Sequence, residues 1–100
     1  LGVLEAQRHL RFFAVPNGGQ RHVLAGANLK KQGMRRGVPD LGVLVRGRTV
    51  FWELKSAKGT VRPEQAEWAE WLRANRYEYA LIRSLDDAQA HIQLCMKAAA

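Results

Sequence analysis

Apolar positions along the chain recur with two different spacings, and the spacing predicts the type of each element. Four stretches rich in β-branched and aromatic residues predict strands: residues 10–15, 41–45, 49–55 and 77–83. Three stretches with apolar residues three or four positions apart predict helices: residues 21–32, 63–75 and 84 onward. Strands and helices mixed in this way predict an α/β domain, with a mixed sheet and helices on its faces.

The last two helices have recognisable starts. Pro63 suits the first position of one helix, and Ser84 suits the N-cap of the other, with Asp87 at capping-box spacing. One side of the first helix carries Trp68, Trp71 and Leu72. Four residues of the second are expected to face the core: Leu85, Ala88, Ile92 and Cys95. The tryptophans are expected in the core or at a dimer surface: Trp52, Trp68 and Trp71.

Residues 41–55 predict a tight hairpin, in which Arg46-Gly47-Arg48 joins two strands. Side chains alternate across a strand, so Glu53 and Lys55 project to one face of it. Leu54 projects to the opposite face and is expected to anchor the strand from behind.

Asp40 opens the first strand of this hairpin and lies about as far from the turn as Glu53. Strand pairing therefore brings the two carboxylates to the same end of the hairpin, roughly 5 to 8 Å apart. Such a pair repels unless a cation lies between the two, and Mg²⁺ or Mn²⁺ takes oxygen ligands of this kind. With Lys55 to orient a water molecule, the constellation predicts a phosphodiester hydrolase. The alternative is ordinary surface charge on a solvated strand.

The 100 residues suit one small domain, and their net charge of +7 is unevenly distributed. Between Ala6 and Pro63 there are twelve Lys or Arg residues and only two acids, Asp40 and Glu53. A basic segment of this kind attracts polyanions, nucleic acid first among them. The alternative is that the charge only keeps the protein soluble. Charge alone separates neither DNA from RNA nor binding from cleavage.

Several classes of protein are excluded by the composition. The apolar runs are far shorter than the ~20 residues of a membrane span. Cys95 is the only cysteine, which excludes an internal disulfide and a cysteine-built zinc site and suits a reducing cytoplasm. His9, His22 and His91 do not have the spacing of metal ligands. The chain lacks an initiator Met, so we expect further residues before Leu1.

Four short motifs, in order and at suitable distances, resemble the VRR-NUC domain, the virus-type replication-repair nuclease branch of the PD-(D/E)XK superfamily. They are FAVPNGG (residues 13–19), GVPDL (37–41), ELK (53–55) and PEQ (63–65). The likeness extends from Phe12 to about Ile92. It implies a restriction-endonuclease-like fold, with about four strands in a mixed sheet flanked by helices, in the order (α)-β-α-β-β-α-β-α.

The resemblance also implies a metal-dependent DNA endonuclease. Asp40, Glu53 and the backbone carbonyl of Leu54 would hold Mg²⁺ or Mn²⁺. Lys55 would position the attacking water, and Gln65 would be an accessory polar residue near the metal. For Gln65, a hydrogen bond at the helix start is the alternative. Stand-alone members, from bacteria or phages, tend to be homodimers acting on branched DNA, which implies a junction-cutting role in replication or repair.

Six basic residues are expected to contact the DNA backbone: Lys30, Lys31, Arg35, Arg36, Lys58 and Arg62. For the first four, a solvated helix end is the alternative. Two features depart from the family pattern. The usual acid on a helix before the first strand is either Glu5 or lies upstream of Leu1, and Arg62 replaces the Ser or Thr expected before Pro63.

Two other functions stay open at this stage. One is a DNA-binding module of the same fold that cleaves weakly or not at all, because a needed helix is absent. The other is a nuclease whose substrate is RNA.

Overall fold

The computed structural model describes residues 9–16 and 36–99. In chain order, this described part contains β1 (Leu10–Ala14), β2 (Leu41–Val45), β3 (Arg48–Leu54), α1 (Pro63–Ala74), β4 (Glu78–Ile82) and α2 (Leu85–Ala99). Each of these elements was predicted, with bounds within one residue of those observed. Several predictions lie outside the described residues: the helix at 21–32, any helix before β1, Glu5, Lys30, Lys31 and Arg35.

The sheet is mixed, as predicted, and its strands lie in the order β1-β2-β3-β4. β2 runs antiparallel to both β1 and β3, whereas β4 runs parallel to β3. A parallel pair needs a crossover connection, and α1 provides it between β3 and β4. The carboxyl ends of β3 and β4 therefore lie side by side at one edge of the sheet.

The hairpin between β2 and β3 closes with a turn one residue shorter than predicted. Its two residues, Arg46 and Gly47, have φ values of 45° and 81°. Positive φ at both positions is the geometry of a type I′ turn, whose twist matches that of the flanking strands. β3 consequently begins at Arg48, and Leu41 pairs with Trp52.

The core lies between α2 and one face of the sheet. Trp52 is fully buried there, and its indole N–H donates to Nδ1 of His91 at 2.8 Å. Burying a large apolar side chain contributes about 1.5–3 kcal/mol. Cys95 packs in this core, as predicted from its helical spacing. The buried cluster comprises Leu10, Leu41, Val43, Val45, Val50, Trp52, Ile82, Ala88, Ile92 and Cys95.

Two side chains predicted to anchor this core are exposed instead. Leu54 is 39% exposed and Leu85 is 55% exposed. Each lies at an end of its element, Leu54 as the last residue of β3 and Leu85 as the first of α2. Spacing identifies the face on which a side chain lies, but it does not show where along an element the packing ends.

α1 buries Ala69 and Leu72. Trp71, for which the core and a dimer surface were both open, is 53% exposed within this chain. Its ring stacks on that of Tyr77, with centroids 5.9 Å apart. The half-buried Trp68 donates its indole N–H to the carbonyl oxygen of Arg36 at 3.1 Å.

Hydrogen bonds confirm the predicted start of α2. Oγ of Ser84 accepts the N–H of Asp87 at 3.1 Å, and the Asp87 carboxylate accepts the N–H of Arg83 at 3.0 Å. The return bond thus reaches one residue further back than in a capping box. Neither α1 nor α2, the helices in the described part of the chain, is long and apolar enough to cross a membrane.

Candidate active site

Asp40 and Glu53 meet at the open end of the β2–β3 hairpin. Leu41 pairs with Trp52, so the next position outward places Asp40 opposite Glu53. The N–H of Asp40 donates to Oε2 of Glu53 at 3.3 Å. Oδ2 of Asp40 accepts the N–H of Leu54 at 2.9 Å. Each carboxylate therefore accepts a backbone N–H from the segment opposite its own, and both acids lie at the same end of the hairpin, as predicted.

Glu53 is a buried acid whose hydrogen bonds are incomplete. The residue is 1% exposed, and its Oε1 has no hydrogen-bond partner among the described residues. Burial, with a further contribution from the charge of Asp40, raises the pKa of the carboxyl to about 7, while Lys55 acts in the opposite direction. A buried polar atom left unpaired costs about 1–3 kcal/mol. This oxygen is therefore available as a ligand for a cation.

The donor set at this end of the hairpin suits a hard divalent ion. Asp40 and Glu53 provide carboxylate oxygens, the ligand type that Mg²⁺ and Mn²⁺ prefer. The backbone of Leu54 reaches the site, because its N–H is bound by Asp40. A cation would offset the repulsion that now raises the pKa of Glu53. The residues present therefore fit Mg²⁺ or Mn²⁺, while the use of the Leu54 carbonyl as a ligand stays a prediction.

Lys55 follows directly after β3 and is half-buried. Its N–H donates to the carbonyl oxygen of Ile82 at 3.0 Å, which extends the β3–β4 pairing by one residue. Its ammonium group lies close enough to lower the pKa of Glu53. The structure thus brings together the acid pair and the lysine that the sequence singled out.

Gln65 makes the hydrogen bond that was its structural alternative. Its Oε1 accepts the N–H of Arg62 at 2.9 Å and so caps the start of α1. This bond compensates for the lack of a Ser or Thr at the cap position. A role for Gln65 near a metal stays a prediction.

Three of the basic residues predicted to bind DNA belong to the described part of the chain, and all three are exposed: Arg36, Lys58 and Arg62. Lys58 and Arg62 are exposed on the connection between β3 and α1. Arg36 is exposed on the segment that leads to Asp40. That segment is held against α1, since a Cβ on Gly37 would lie 2.5 Å from the carbonyl oxygen of Glu64. With φ at 83°, Gly37 allows this approach where another residue would not.

Tyr79 is a neighbour of the site that the sequence interpretation missed. It pairs with Phe51 across the β3–β4 ladder and so lies diagonally beside Glu53 on the same face. Burial raises the pKa of its hydroxyl, and the charges of Glu53 and Asp40 raise it further. The guanidinium of Arg73 lies 4.9 Å from its ring centroid. Strand alternation along residues 77–83 was the available signal.

Arg83 is a second residue that the sequence did not indicate. Its Nη1 donates to the carbonyl oxygens of Ser56 and Gly59, both at 2.7 Å, and of Ala57 at 3.4 Å. These acceptors form the turn directly after Lys55. Backbone carbonyls leave no mark in a sequence, so no motif could have revealed this contact.

Glu78, His91 and Cys95 form a further cluster on the opposite face of the sheet. Each offers one possible metal-ligand atom, and these atoms lie within 4.8 Å of one another. The sequence interpretation assigned His91 and Cys95 to packing. Their spacing of four residues on one helix face was the signal for a shared site.

Existing contacts already use the polar groups of this cluster. Glu78 forms an ion pair with Arg48. Because Nδ1 of His91 accepts the indole N–H of Trp52, the proton of the neutral ring lies on Nε2, which then cannot coordinate a metal. Burial lowers the pKa of His91 and raises that of Cys95, so both favour their neutral forms. The Asp40–Glu53 pair is the better candidate for a divalent metal.

Comparisons with known proteins support the fold. No protein-family model matches this chain, and no curated protein matches it. A solved structure of a VRR_NUC domain protein matches with a TM-score of 0.63 at 24% sequence identity. The match covers 77% of this chain and 66% of that one, slightly less than two thirds of its length. At this identity the match shows the fold, and it confirms at that level the resemblance drawn from the four motifs.

Proposed function

We propose that this chain is a metal-dependent nuclease domain that hydrolyses phosphodiester bonds in DNA. The observation that carries the proposal is the buried Glu53 carboxylate, which faces Asp40 and whose Oε1 is unpaired within the described residues. Two adjacent carboxylates repel each other unless a cation lies between them, and these two are the only acids between Ala6 and Pro63 in the sequence. The fold shared with a VRR_NUC domain protein supports the same reading.

Asp40, Glu53 and the carbonyl of Leu54 would hold Mg²⁺ or Mn²⁺. When bound, the ion would lower the pKa of a water molecule and stabilise the charge that develops at phosphorus. Asp40 also orients the chain around the site, because its carboxylate fixes the backbone N–H of Leu54. That bond ties Asp40 to the backbone between Glu53 and Lys55.

Lys55 would orient the attacking water and balance negative charge in the transition state. The ammonium group lies near enough to Glu53 to lower the pKa of that carboxyl. Further out, the exposed side chains of Arg36, Lys58 and Arg62 would contact phosphates. Lys30, Lys31 and Arg35 are proposed for the same role on the basis of the sequence.

The proposal is tested by incubating the protein with end-labelled linear duplex DNA, in Mn²⁺, Mg²⁺ or EDTA. We expect cleavage that needs metal and that is lost in Lys55→Ala. Glu70→Gln, a change on the exposed surface of α1, is the matched control and should cleave normally. Cleavage that survives EDTA or Lys55→Ala would contradict the mechanism.

The preferred substrate is proposed to be branched DNA, such as a four-way junction met in replication or repair. One chain has one Asp40–Glu53 pair, whereas cutting both strands of a junction needs two, so the active form is proposed to be a homodimer. Faster cleavage of a junction than of a linear duplex, with a dimer in light scattering, is the expected result. A monomer, or equal rates on both substrates, would contradict it. A matched RNA substrate decides between the nucleic acids.

The second candidate is a DNA-binding module of the same fold with weak or absent catalysis. The basic segment between Ala6 and Pro63 favours it, because binding needs the charge and not the metal. Tight, salt-sensitive binding with no cleavage in any metal is its expected signature. Cleavage restored by a chain extended upstream of Leu1 would instead point to a missing acid.

A further inference from the structure

The guanidinium of Arg83 holds the turn that follows Lys55. Nη1 donates to the carbonyl oxygens of Ser56 and Gly59, each at 2.7 Å, with Ala57 at 3.4 Å. The turn is also closed internally, since the N–H of Gly59 donates to the carbonyl oxygen of Ser56 at 3.1 Å. Hydrogen bonds from a permanent cation are stronger than those from a neutral donor. The turn is therefore held by its own hydrogen bond and by the hydrogen bonds from Arg83.

Arg83 is itself fixed at its backbone. Its N–H donates to Oδ2 of Asp87 in the first turn of α2. The carbonyl of the residue before it, Ile82, accepts the N–H of Lys55. The β3–β4 pairing thus joins Arg83 to Lys55, so neither residue can shift along its strand without the other.

The turn lies next to the side chain of Lys55. A Cβ built on Gly59, an atom that the glycine lacks, would lie 3.6 Å from Cδ of Lys55 and 3.0 Å from Oγ of Ser56. The backbone of Gly59 therefore lies beside the methylene groups of the lysine. A lysine side chain has large rotamer entropy, and a fixed turn beside it limits the space open to that side chain.

We propose that Arg83 is a positioning residue for the reaction: it holds the 56–59 turn against Lys55, so that the ammonium group stays beside Asp40 and Glu53. The same turn presents Lys58 towards solvent. This role rests on the proposed nuclease function. Ser56 and Ala57 are exposed, so water could solvate their carbonyls, and the turn does not need both bonds from the guanidinium for stability alone. The hydrogen bonds from Arg83 are explained by the need for accurate placement of the adjoining lysine.

The test measures kcat and KM for DNA cleavage in Mn²⁺ by the wild type, Arg83→Lys and Arg83→Ala. A small displacement of a catalytic group can cost on the order of 100-fold, so Arg83→Ala should lose about 10- to 100-fold in kcat while KM changes little. Arg83→Lys has one compact ammonium in place of the planar guanidinium, so its kcat should lie between those of the wild type and Arg83→Ala. Lys97→Ala, which removes an exposed charge on α2, is the control.

Two further readouts separate positioning from simple destabilisation. Millimolar methylguanidinium should partly restore kcat to Arg83→Ala, whereas it would not help a variant that is merely less stable. Amide exchange at Gly59 should accelerate in Arg83→Ala, with core amides of β3 unchanged. A wild-type kcat for Arg83→Ala, or a Gly59 amide that stays protected, would overturn the proposal.

The exchange measurement also separates this proposal from the nuclease function. If the wild-type protein cleaves no nucleic acid, the proposed function fails. Gly59 exchange and the NMR order of the Lys55 side chain then still decide whether Arg83 holds the turn against the lysine. Unchanged order of Lys55 in Arg83→Ala would end the positioning proposal by itself.

Discussion

The two faces of the sheet carry two groups of ionisable side chains, and the groups differ in how their charges are balanced. On the core face, Glu78 pairs with Arg48, and His91 accepts a hydrogen bond from Trp52. On the other face, Glu53 lies against a second carboxylate, and its Oε1 lacks a partner within residues 9–16 and 36–99. The polar groups of the first group already pair with one another or with neighbours, while the second leaves one buried carboxylate oxygen without a partner among the described residues. Incomplete balance is thus a better sign of a functional site than the mere presence of ligand-type residues.

The largest expected effect of this difference is on cleavage. Asp40→Asn removes one of the two carboxylates and should lower kcat by roughly 10³-fold, because a metal contributes several kcal/mol to such a transition state. Glu78→Gln removes an acid from the core-face group and should leave kcat within about threefold. Steady-state cleavage assays in Mn²⁺ at saturating DNA measure both. Equal losses in the two variants would remove the distinction between the faces.

The next effect is on the stability of the metal-free protein. Glu53 has a pKa of about 7 in the folded state and 4.5 ordinarily, so the folded chain binds the proton more tightly. Its contribution to the free energy of unfolding therefore falls as pH rises from about 4.5 to 7. Glu53→Gln lacks this loss and should be more stable than wild type by on the order of 3 kcal/mol above pH 7.

Urea denaturation in EDTA at pH 4.5 and pH 8 measures that prediction. The two proteins should be similar at the lower pH and differ at the higher one. Glu70→Gln, exposed on α1, should follow the wild type at both. A stability difference that is the same at both pH values would show that the charge of Glu53 is not the cause.

A third effect is stabilisation by metal. Mn²⁺ at 100 times its dissociation constant should stabilise the folded wild type by about 2.7 kcal/mol, seen as a rise in Tm at pH 8. The rise should shrink at pH 6, where protons compete for Glu53, and should vanish in Glu53→Gln.

Zn²⁺ should give no rise in Tm that depends on Cys95, because Nε2 of His91 carries the ring proton. A Zn²⁺ shift lost in Cys95→Ser would reverse the assignment of the two faces.

The smallest effect concerns the ion pair on the core face. Arg48 and Glu78 are both about one third exposed, so water screens their attraction. Arg48→Met should cost about 0.5–1 kcal/mol of stability. Thermal unfolding at low and high salt measures it, and the loss should be smaller at high salt. A loss of several kcal/mol would mean that this group also depends on a balanced buried charge.

Strand alternation and pairing predicted from the sequence that Asp40, Glu53 and Lys55 lie at one end of the hairpin. The prediction was possible because each side chain of a paired strand must point to one face or the other. The positions of Leu54 and Leu85 could not be predicted in the same way. A periodic pattern identifies the core face, but burial also depends on where the facing layer ends. Tyr79 was accessible in principle through the alternation of β4. Predicting that Tyr79 lies near Glu53 would also have required the register of the parallel β3–β4 pair, which depends on the length and path of α1.

Arg83 marks the limit of such reasoning. Its acceptors are main-chain carbonyls 24 to 27 positions earlier in the chain. Side-chain identity does not encode such a contact, so only the folded chain reveals it. Gln65 is an intermediate case, in which both a cap and a site role were foreseen and the cap is the one observed.

The type I′ turn at Arg46 and Gly47 has a practical consequence for protein engineering. It lies at the opposite end of the hairpin from Asp40 and Glu53, five residue pairs away or about 17 Å. A Cβ on Gly47 would meet nothing within 4 Å among the described residues. The tip is therefore a suitable insertion point for a fluorophore or an added recognition peptide. A graft at this tip would lie far from the acid pair, and a chain that keeps the pairing of Leu41 with Trp52 would carry the added group without contact to the proposed site.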